Sequence, residues 1–267
     1  MRQRAGLPRA IDVEVSTQDG VSEAADYART KIGELGRYTS RPVLRARVKL
    51  TMHRDPAVQR PVVGQANFDV DGQPVRAQVQ ARTAREAVDL LAARLRRRLE
   101  RATEHHEARR GEQPAARSHE RWHDSGPMQP PDRFPRRAEE RRVIRRKSFT
   151  MAPCTIDEAA REMDLLDYDF HLFTEIGTGA AGVLYRAGAT GFRLALVAPA
   201  LADQLSPFTL PVTISRQPVP CLTEEEAANR LGLLGVPFLF FIDAAQGRAS
   251  VMYHRYDGHY GVITPAG

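Results

Sequence analysis

The sequence contains few of the residues that build covalent cross-links, metal clusters or membrane spans. Only two cysteines and one tryptophan occur among 267 residues. The eight histidines show no metal-ligand spacing with cysteine or carboxylate partners. No apolar run approaches the roughly 20 residues that cross a bilayer. The sequence therefore predicts no metal site and no membrane association.

Targeting and redox signals are equally sparse. The N-terminal stretch lacks the apolar segment of a signal peptide, which favours a cytoplasmic protein. Cys154 and Cys221 occupy matching places in an internal repeat. In a reducing cytosol we expect two half-buried thiols, and a bridge between the repeat copies is the alternative.

No motif of the chain predicts catalysis. Gly177–Gly182 matches the dinucleotide pattern GxGxxG, but that pattern needs a following helix. Here an apolar, strand-like run follows, so a hairpin loop is the better interpretation. No arrangement of Ser, His and Asp or of Cys and His stands out. We therefore expect no cofactor and no enzyme activity.

Charge divides the chain into a basic N-terminal part and an acidic C-terminal part. Residues 1–110 carry 22 Lys/Arg and 14 Asp/Glu, and residues 111–147 carry 10 and 6. Residues 148–267 carry 7 Lys/Arg and 13 Asp/Glu. This asymmetry predicts a module that binds a polyanion, followed by one that does not.

The hydrophobic pattern predicts an α+β protein with an N-terminal βαβββα domain over residues 9–110. Apolar residues alternate in four strand-like runs, and Asp71-Gly72 indicates a hairpin turn. Two amphipathic helices are predicted to cover one face of this sheet. Residues 111–142 are rich in proline and charge and predict a disordered basic linker, which includes Trp122.

The C-terminal part of the chain is a tandem repeat. From Thr155 to Tyr185, an offset of 68 gives 12 identities in 31 positions. We therefore predict two small α+β domains over residues 143–199 and 212–267. Each is predicted to open its helix with a capping box, at Thr155 and at Thr223.

Cations in the N-terminal domain are predicted to bind RNA phosphates. Alternation in the second strand places three of them on one sheet face, and the second half of the last helix is strongly cationic. Because exposed aromatics are scarce, we expect folded or double-stranded RNA recognised by shape and backbone. The predicted rRNA-binding residues are Arg45, Arg47, Lys49, Arg82, Arg85, Arg94, Arg97, Arg98 and Arg101.

These features together resemble the ribosome hibernation promoting factors, also called the S30AE or sigma-54 modulation family. Residues 83–91 with Arg94, Arg97 and Arg101 are similar to that family's second helix. Residues 147–186 and 251–263 are similar to the C-terminal domain of its long members. The resemblance implies binding of 16S rRNA in the decoding region of the small ribosomal subunit, beside ribosomal proteins, where tRNA and mRNA positions are blocked during stress.

The chain also departs from this family pattern. Glu100 and Thr103 stand where basic residues are common. The usual long factor has one C-terminal domain, which self-associates and joins two ribosomes. Two copies resemble the hypoxia- or dormancy-associated actinobacterial factors.

Because each copy is only about 55 residues and so near the lower size limit for one core, we expect the two to pair within one chain. This intramolecular pseudo-dimer predicts a monomer. The predicted pairing residues are Phe170, Phe173, Tyr185, Phe238, Phe241 and Tyr253.

A transcription-stress regulator acting by protein contact is the alternative function.

Overall fold

A computed structural model describes residues 10–18, 21–53, 58–109, 136–187 and 191–266. The chain divides into two compact units. The first comprises residues 1–115 together with the short segment 164–167, and the second comprises residues 116–163 and 168–267. Within the described ranges, no helix is long and apolar enough to cross a membrane.

The described residues of the first unit form a four-stranded sheet with two α-helices. Its strands lie in the order β1-β2-β3-β4, with β1 parallel to β2 and the other pairs antiparallel. The elements are β1 (Val13–Thr17), α1 (Ala25–Gly33), β2 (Val43–Met52), β3 (Val62–Val70), β4 (Gln73–Ala81) and α2 (Ala84–Arg109).

Side-chain alternation explains why both helices cover one face of this sheet. Ala46, Val48 and Leu50 of β2 are buried in the same core cluster as the apolar stripe of α2, which includes Leu91 and Leu95. The residues between them on β2 point to the opposite face. The turn Asp71-Gly72 has φ angles of 53° and 83°, which suit a tight hairpin. The predicted βαβββα domain with helices on one face is confirmed.

In its described part, the second unit contains two five-stranded sheets and two α-helices. The first sheet has the order β10-β9-β8-β7-β6, and the second has the order β11-β12-β13-β14-β5. The elements of the first copy are β5 (Val143–Phe149), β6 (Pro153–Cys154), α3 (Ile156–Leu166), β7 (Phe170–Glu175), β8 (Ala181–Arg186) and β9 (Phe192–Leu196). Those of the second are β10 (Val212–Ser215), β11 (Cys221–Leu222), α4 (Glu224–Leu234), β12 (Phe238–Asp243), β13 (Arg248–His254) and β14 (Tyr260–Pro265).

The two copies exchange their first strands. The strand β5 opens the first copy but pairs in parallel with β14 of the second. Conversely, β10 opens the second copy but pairs in parallel with β9 of the first. Each sheet is therefore completed by a strand from the other sequence repeat, so a division of the fold at residues 199 and 212 would cut through both sheets.

Three buried clusters hold this unit together. One lies between α3 and the first sheet, and a second lies between α4 and the second sheet. The third joins the two sheets, with Leu172 and Val183 from one and Phe240 and Val251 from the other. The layers therefore run helix, sheet, sheet, helix.

Local signals in this unit agree with the sequence. Thr155 and Glu158 exchange side-chain to backbone hydrogen bonds, and Thr223 forms the full capping box with Glu226. Residues 176–180 form the loop between β7 and β8, which confirms the hairpin interpretation of the glycine motif. Both cysteines are free.

The structure describes the last seven residues of the predicted linker, 136–142. Residues 111–135, with Trp122, lie outside the described residues. Residues 138–140 form a 3₁₀ helix, and the Arg142 carbonyl accepts a hydrogen bond from the Tyr260 amide. Backbone pairing to β14 therefore begins just before β5, which composition alone did not indicate.

Candidate nucleic-acid interface

The strand cations, Arg45, Arg47 and Lys49, lie on the sheet face opposite the helices. Arg45 and Arg47 are exposed and Lys49 is half-buried. Across the ladder they lie beside Asp69, Asn67 and Gln65 of β3. Arg47 also donates to Glu14 over 2.6 Å. The period of two thus presents a row of positive charge as predicted.

Most other residues on this face are polar, although Val63 of β3 is a buried apolar residue there. Gln65 donates to the side chain of Gln78 over 2.9 Å, and Arg76 donates to the same Gln78 oxygen. No aromatic residue occurs in β1–β4 at the outward positions of this face. Amides and cations can contact phosphates and sugar hydroxyls, whereas base stacking would need aromatic platforms.

A second group, the helix arginines, lies along one side of α2. It consists of Arg94, Arg97, Arg98 and Arg101, which fall within one arc at 100° per residue. Arg97 is exposed, Arg94 and Arg101 are half-buried, and the Arg98 side chain is only 7% exposed. A buried arginine requires anionic partners nearby.

Those partners come from an acidic segment, residues 164–167, which belongs to the first unit. One Asp167 carboxylate oxygen accepts from Arg94 Nη2 over 2.6 Å and also from Arg98. Its other oxygen accepts from the backbone N–H of Gln78 on the edge strand β4 over 2.7 Å. Asp167 is therefore bound simultaneously to a helix and to a sheet edge.

Asp164 completes this cluster. Its carbonyl oxygen accepts from Arg98 Nη1 over 2.7 Å, and its carboxylate accepts from Arg101 over 3.2 Å. Burial lowers the pKa of the Arg98 guanidinium, and the Asp167 carboxylate opposes that shift. Arg98 Nε has no hydrogen-bond partner among the described residues.

Arg82 and Arg85 lie near the start of α2, apart from both groups. Arg82 is exposed, and its backbone N–H donates to Glu86 in the first helical turn. The Arg85 guanidinium stacks over the Tyr27 ring at 4.6 Å. Arg96 stacks similarly over Tyr38 at 4.3 Å. These stacked arginines mark a different side of α2 from the helix arginines.

The structure thus separates the nine predicted rRNA-binding residues into three places. Sequence reasoning missed the acidic segment, since the aspartates lie more than 60 positions from the arginines that they contact. One signal was available. The first repeat reads Asp164-Leu-Leu-Asp167 where the second reads Gly232-Leu-Leu-Gly235.

The predicted pairing residues lie in two different environments. The Phe170 and Phe238 rings stack at 4.6 Å, with Tyr185 and Tyr253 beside them at 5.3 Å and 5.8 Å. Phe173 and Phe241 are instead fully buried in the separate helix–sheet clusters. Strand alternation explains the difference, because Phe173 lies three positions after Phe170 and so points to the opposite face.

In the described part of the chain, no group of three or more His, Cys, Asp or Glu could hold a metal ion.

Comparison with known families then identifies the architecture. The family described as Sigma 54 modulation protein / S30EA ribosomal protein matches residues 19–107. The family described as Sigma 54 modulation/S30EA ribosomal protein C terminus matches twice, at residues 138–194 and 212–262. The chain belongs to the sigma 54 modulation/S30EA ribosomal protein family. It carries one N-terminal and two C-terminal family domains.

Relatives of this family member are named for translation and ribosomes. The chain is 38% identical to the dormancy associated translation inhibitor of Mycobacterium tuberculosis, over 83% of this chain and 77% of that protein. It is 25% identical to the ribosome hibernation promotion factor of Picosynechococcus, over 60% of this chain and 82% of that protein. The N-terminal domain of Protein Y from Thermus thermophilus superposes with a TM-score of 0.29 at 21% identity, over 34% of this chain and 97% of that one.

Proposed function

We propose that this protein is a cytoplasmic hibernation factor that silences translation under stress, such as hypoxia or dormancy. Its first unit binds 16S rRNA in the decoding region of the small ribosomal subunit and blocks tRNA and mRNA positions. Ribosomal proteins near that region are further contacts. The action is occupancy and needs neither a cofactor nor catalysis.

The observation that carries this proposal is the row of strand cations on a polar sheet face, within the unit that matches the family's N-terminal domain. Such a face presents charge to a phosphate backbone without aromatic platforms for bases. Each phosphate contact releases condensed counterions, so affinity should fall steeply with salt. Recognition would then depend on the shape of folded RNA.

We propose further that the second unit acts as an intramolecular pseudo-dimer, which makes the protein a monomer. The buried cluster between the sheets and the exchange of β5 and β10 support this, because the face that one copy would offer another chain is covered by its own repeat. A monomer without a free pairing face holds single ribosomes and does not join two.

Charge reversal with a matched control tests the RNA-binding proposal. The variant Arg45→Glu with Lys49→Glu removes two strand cations and leaves the pair of Arg47 with Glu14. The control, Arg216→Glu with Arg230→Glu, makes the same change in net charge at exposed positions of the second unit. Both are measured by co-sedimentation with purified small subunits across a salt series.

We expect the Arg45/Lys49 variant to bind much more weakly and with a salt slope reduced by about one for each lost phosphate contact. The control should bind like the unaltered protein. Equal weakening of both variants would indicate a net-charge effect and contradict a local site. If no form binds subunits, the regulator that acts by protein contact becomes the better account.

A further inference from the structure

The acidic segment and the helix arginines form an unequal charge cluster within the first unit. Three guanidinium groups, those of Arg94, Arg98 and Arg101, surround the two carboxylates of Asp164 and Asp167. The Asp167 side chain is 5% exposed, so water screens these contacts poorly. Arg98 Nε is buried and has no hydrogen-bond partner among the described residues.

Backbone geometry shows that Asp167 occupies a position suited to glycine. Its φ is 55°, in the left-handed region that costs free energy for any residue with a Cβ. The equivalent residue of the second repeat, Gly235, has a φ of 61° and ends α4 as a left-handed cap. The aspartate therefore occupies a backbone position less favourable to it than to glycine, and its carboxylate makes the contacts with Arg94, Arg98 and Gln78.

The second repeat shows the same turn without these contacts. Gly232 and Gly235 replace both aspartates. Leu233 is 87% exposed, whereas its equivalent, Leu165, packs against the core of the first unit. The two aspartates are thus the chemical difference between a segment that contacts the helix arginines and one that does not.

We propose that residues 164–167 act as an internal competitor that occupies the helix arginines until RNA phosphates displace it. This inference rests on the proposed RNA-binding function, extends its RNA contacts from the strand cations to the helix arginines, and adds a regulatory step. A carboxylate held by paired guanidinium donors presents oxygens to them as a phosphate would. Both anions need the same N–H groups of Arg94, Arg98 and Arg101, so their binding is mutually exclusive.

Competition from the acidic segment lowers the apparent affinity for RNA. If the arginines are available in only a fraction of molecules, the measured affinity for RNA is reduced by that fraction. Weakening the internal anion must then strengthen RNA binding. A purely structural role for Asp167 gives the opposite expectation, since its loss would loosen the RNA-binding unit.

Asp167→Gly is the sharpest variant, because the second repeat shows that glycine suits this backbone conformation. The control Asp203→Asn makes the same change in net charge at an exposed position. Affinities of the full-length proteins are measured for an RNA duplex and for purified small subunits. We expect Asp167→Gly to bind about fivefold tighter or more, and Asp203→Asn to be unchanged.

A second measurement uses the unaltered protein. The Gln78 amide donates to Asp167, so its hydrogen exchange should be slow in the free protein and faster at saturating RNA duplex. Unchanged Gln78 protection in the RNA-bound protein would overturn the inference, whatever the folding of the variant. So would equal or weaker RNA binding by a folded Asp167→Gly protein.

Failure of the RNA-binding proposal and failure of the competitor proposal give different binding results. Binding by Asp167→Gly but not by the unaltered protein would support the competitor. If neither form binds duplex or subunit, RNA binding itself fails and the competitor with it.

Discussion

At the residue scale, Glu175 shows how a buried charge organises a loop. It is fully buried at the end of β7. Burial raises the pKa of its carboxyl, but hydrogen bonds from Ser206 and from the Thr178 amide outweigh this and hold the pKa at about 2. The charged form thus ties the β7–β8 loop to the segment between the two repeats.

This pKa predicts a pH dependence of stability. Because the folded pKa lies below the ordinary 4.5, the contribution of Glu175 is complete above about pH 4.5 and is lost as pH falls toward 2. Glu175→Gln should lower the free energy of unfolding by about 2 kcal/mol at pH 7, since the amide cannot satisfy every donor. The deficit should shrink in denaturant titrations below pH 4.5. The exposed Glu225→Gln is the control, and a deficit that stays constant with pH would contradict the assignment.

Gly177, the first glycine of the GxGxxG motif, is required by packing. A Cβ there would lie 2.5 Å from the Ser206 nitrogen and 2.7 Å from the Gln204 oxygen, both backbone atoms. Gly177→Ala should therefore destabilise the protein by about 1–3 kcal/mol in chemical denaturation. Gly232→Ala, inside α4, should be neutral or stabilising by up to about 1 kcal/mol. Similar values for the two alanines would refute the close-approach explanation.

Residue-scale sequence reasoning succeeded where a local pattern determines orientation. The strand cations face outward because β2 alternates, and local periodicity shows this directly. The burial of Arg98 could not be predicted, because its neighbours Asp164 and Asp167 are distant in sequence. Helical periodicity places Arg98 on the surface of the helix, whereas the tertiary contact with the two aspartates buries it.

At the element scale, the exchange of β5 and β10 is the main feature that the repeat did not reveal. The repeat pattern is identical whether each first strand pairs within its own copy or with the other. Apolar alternation fixes which side of a strand is buried, but it does not choose among similar sheet edges. The strands, helices and caps themselves followed from propensity and capping residues.

Strand exchange predicts where protection is lost when β5 is removed. A chain beginning at residue 150 leaves β14 without its outer neighbour. Amides of β14 should exchange faster, because an unpaired edge opens locally. Amides of β9, which keeps β10 as its neighbour, serve as the internal control. Loss of protection in β9 with β14 unaffected would show that each copy keeps its own strand.

At the scale of the whole molecule, the buried cluster between the two sheets should determine oligomeric state. The full-length protein should sediment as a monomer. Deleting residues 200–267 removes the second copy together with β10. This deletion exposes Leu172 and Val183 and leaves the edge of β9 unpaired, so the truncated chain should self-associate. Adding Leu172→Asp to the truncation should reduce that association. A full-length dimer in analytical ultracentrifugation, or a monomeric truncated chain, would contradict the pseudo-dimer.

The central claim is that one chain both binds a ribosome and covers its own pairing face. The most direct measurement is a sucrose gradient of ribosomes incubated with the full-length protein at low and high salt. We predict co-sedimentation with small subunits and single ribosomes at low salt, release at high salt, and no ribosome-dimer peak. Absence of the protein from all ribosomal fractions, or a ribosome-dimer peak that depends on residues 143–267, would contradict the account.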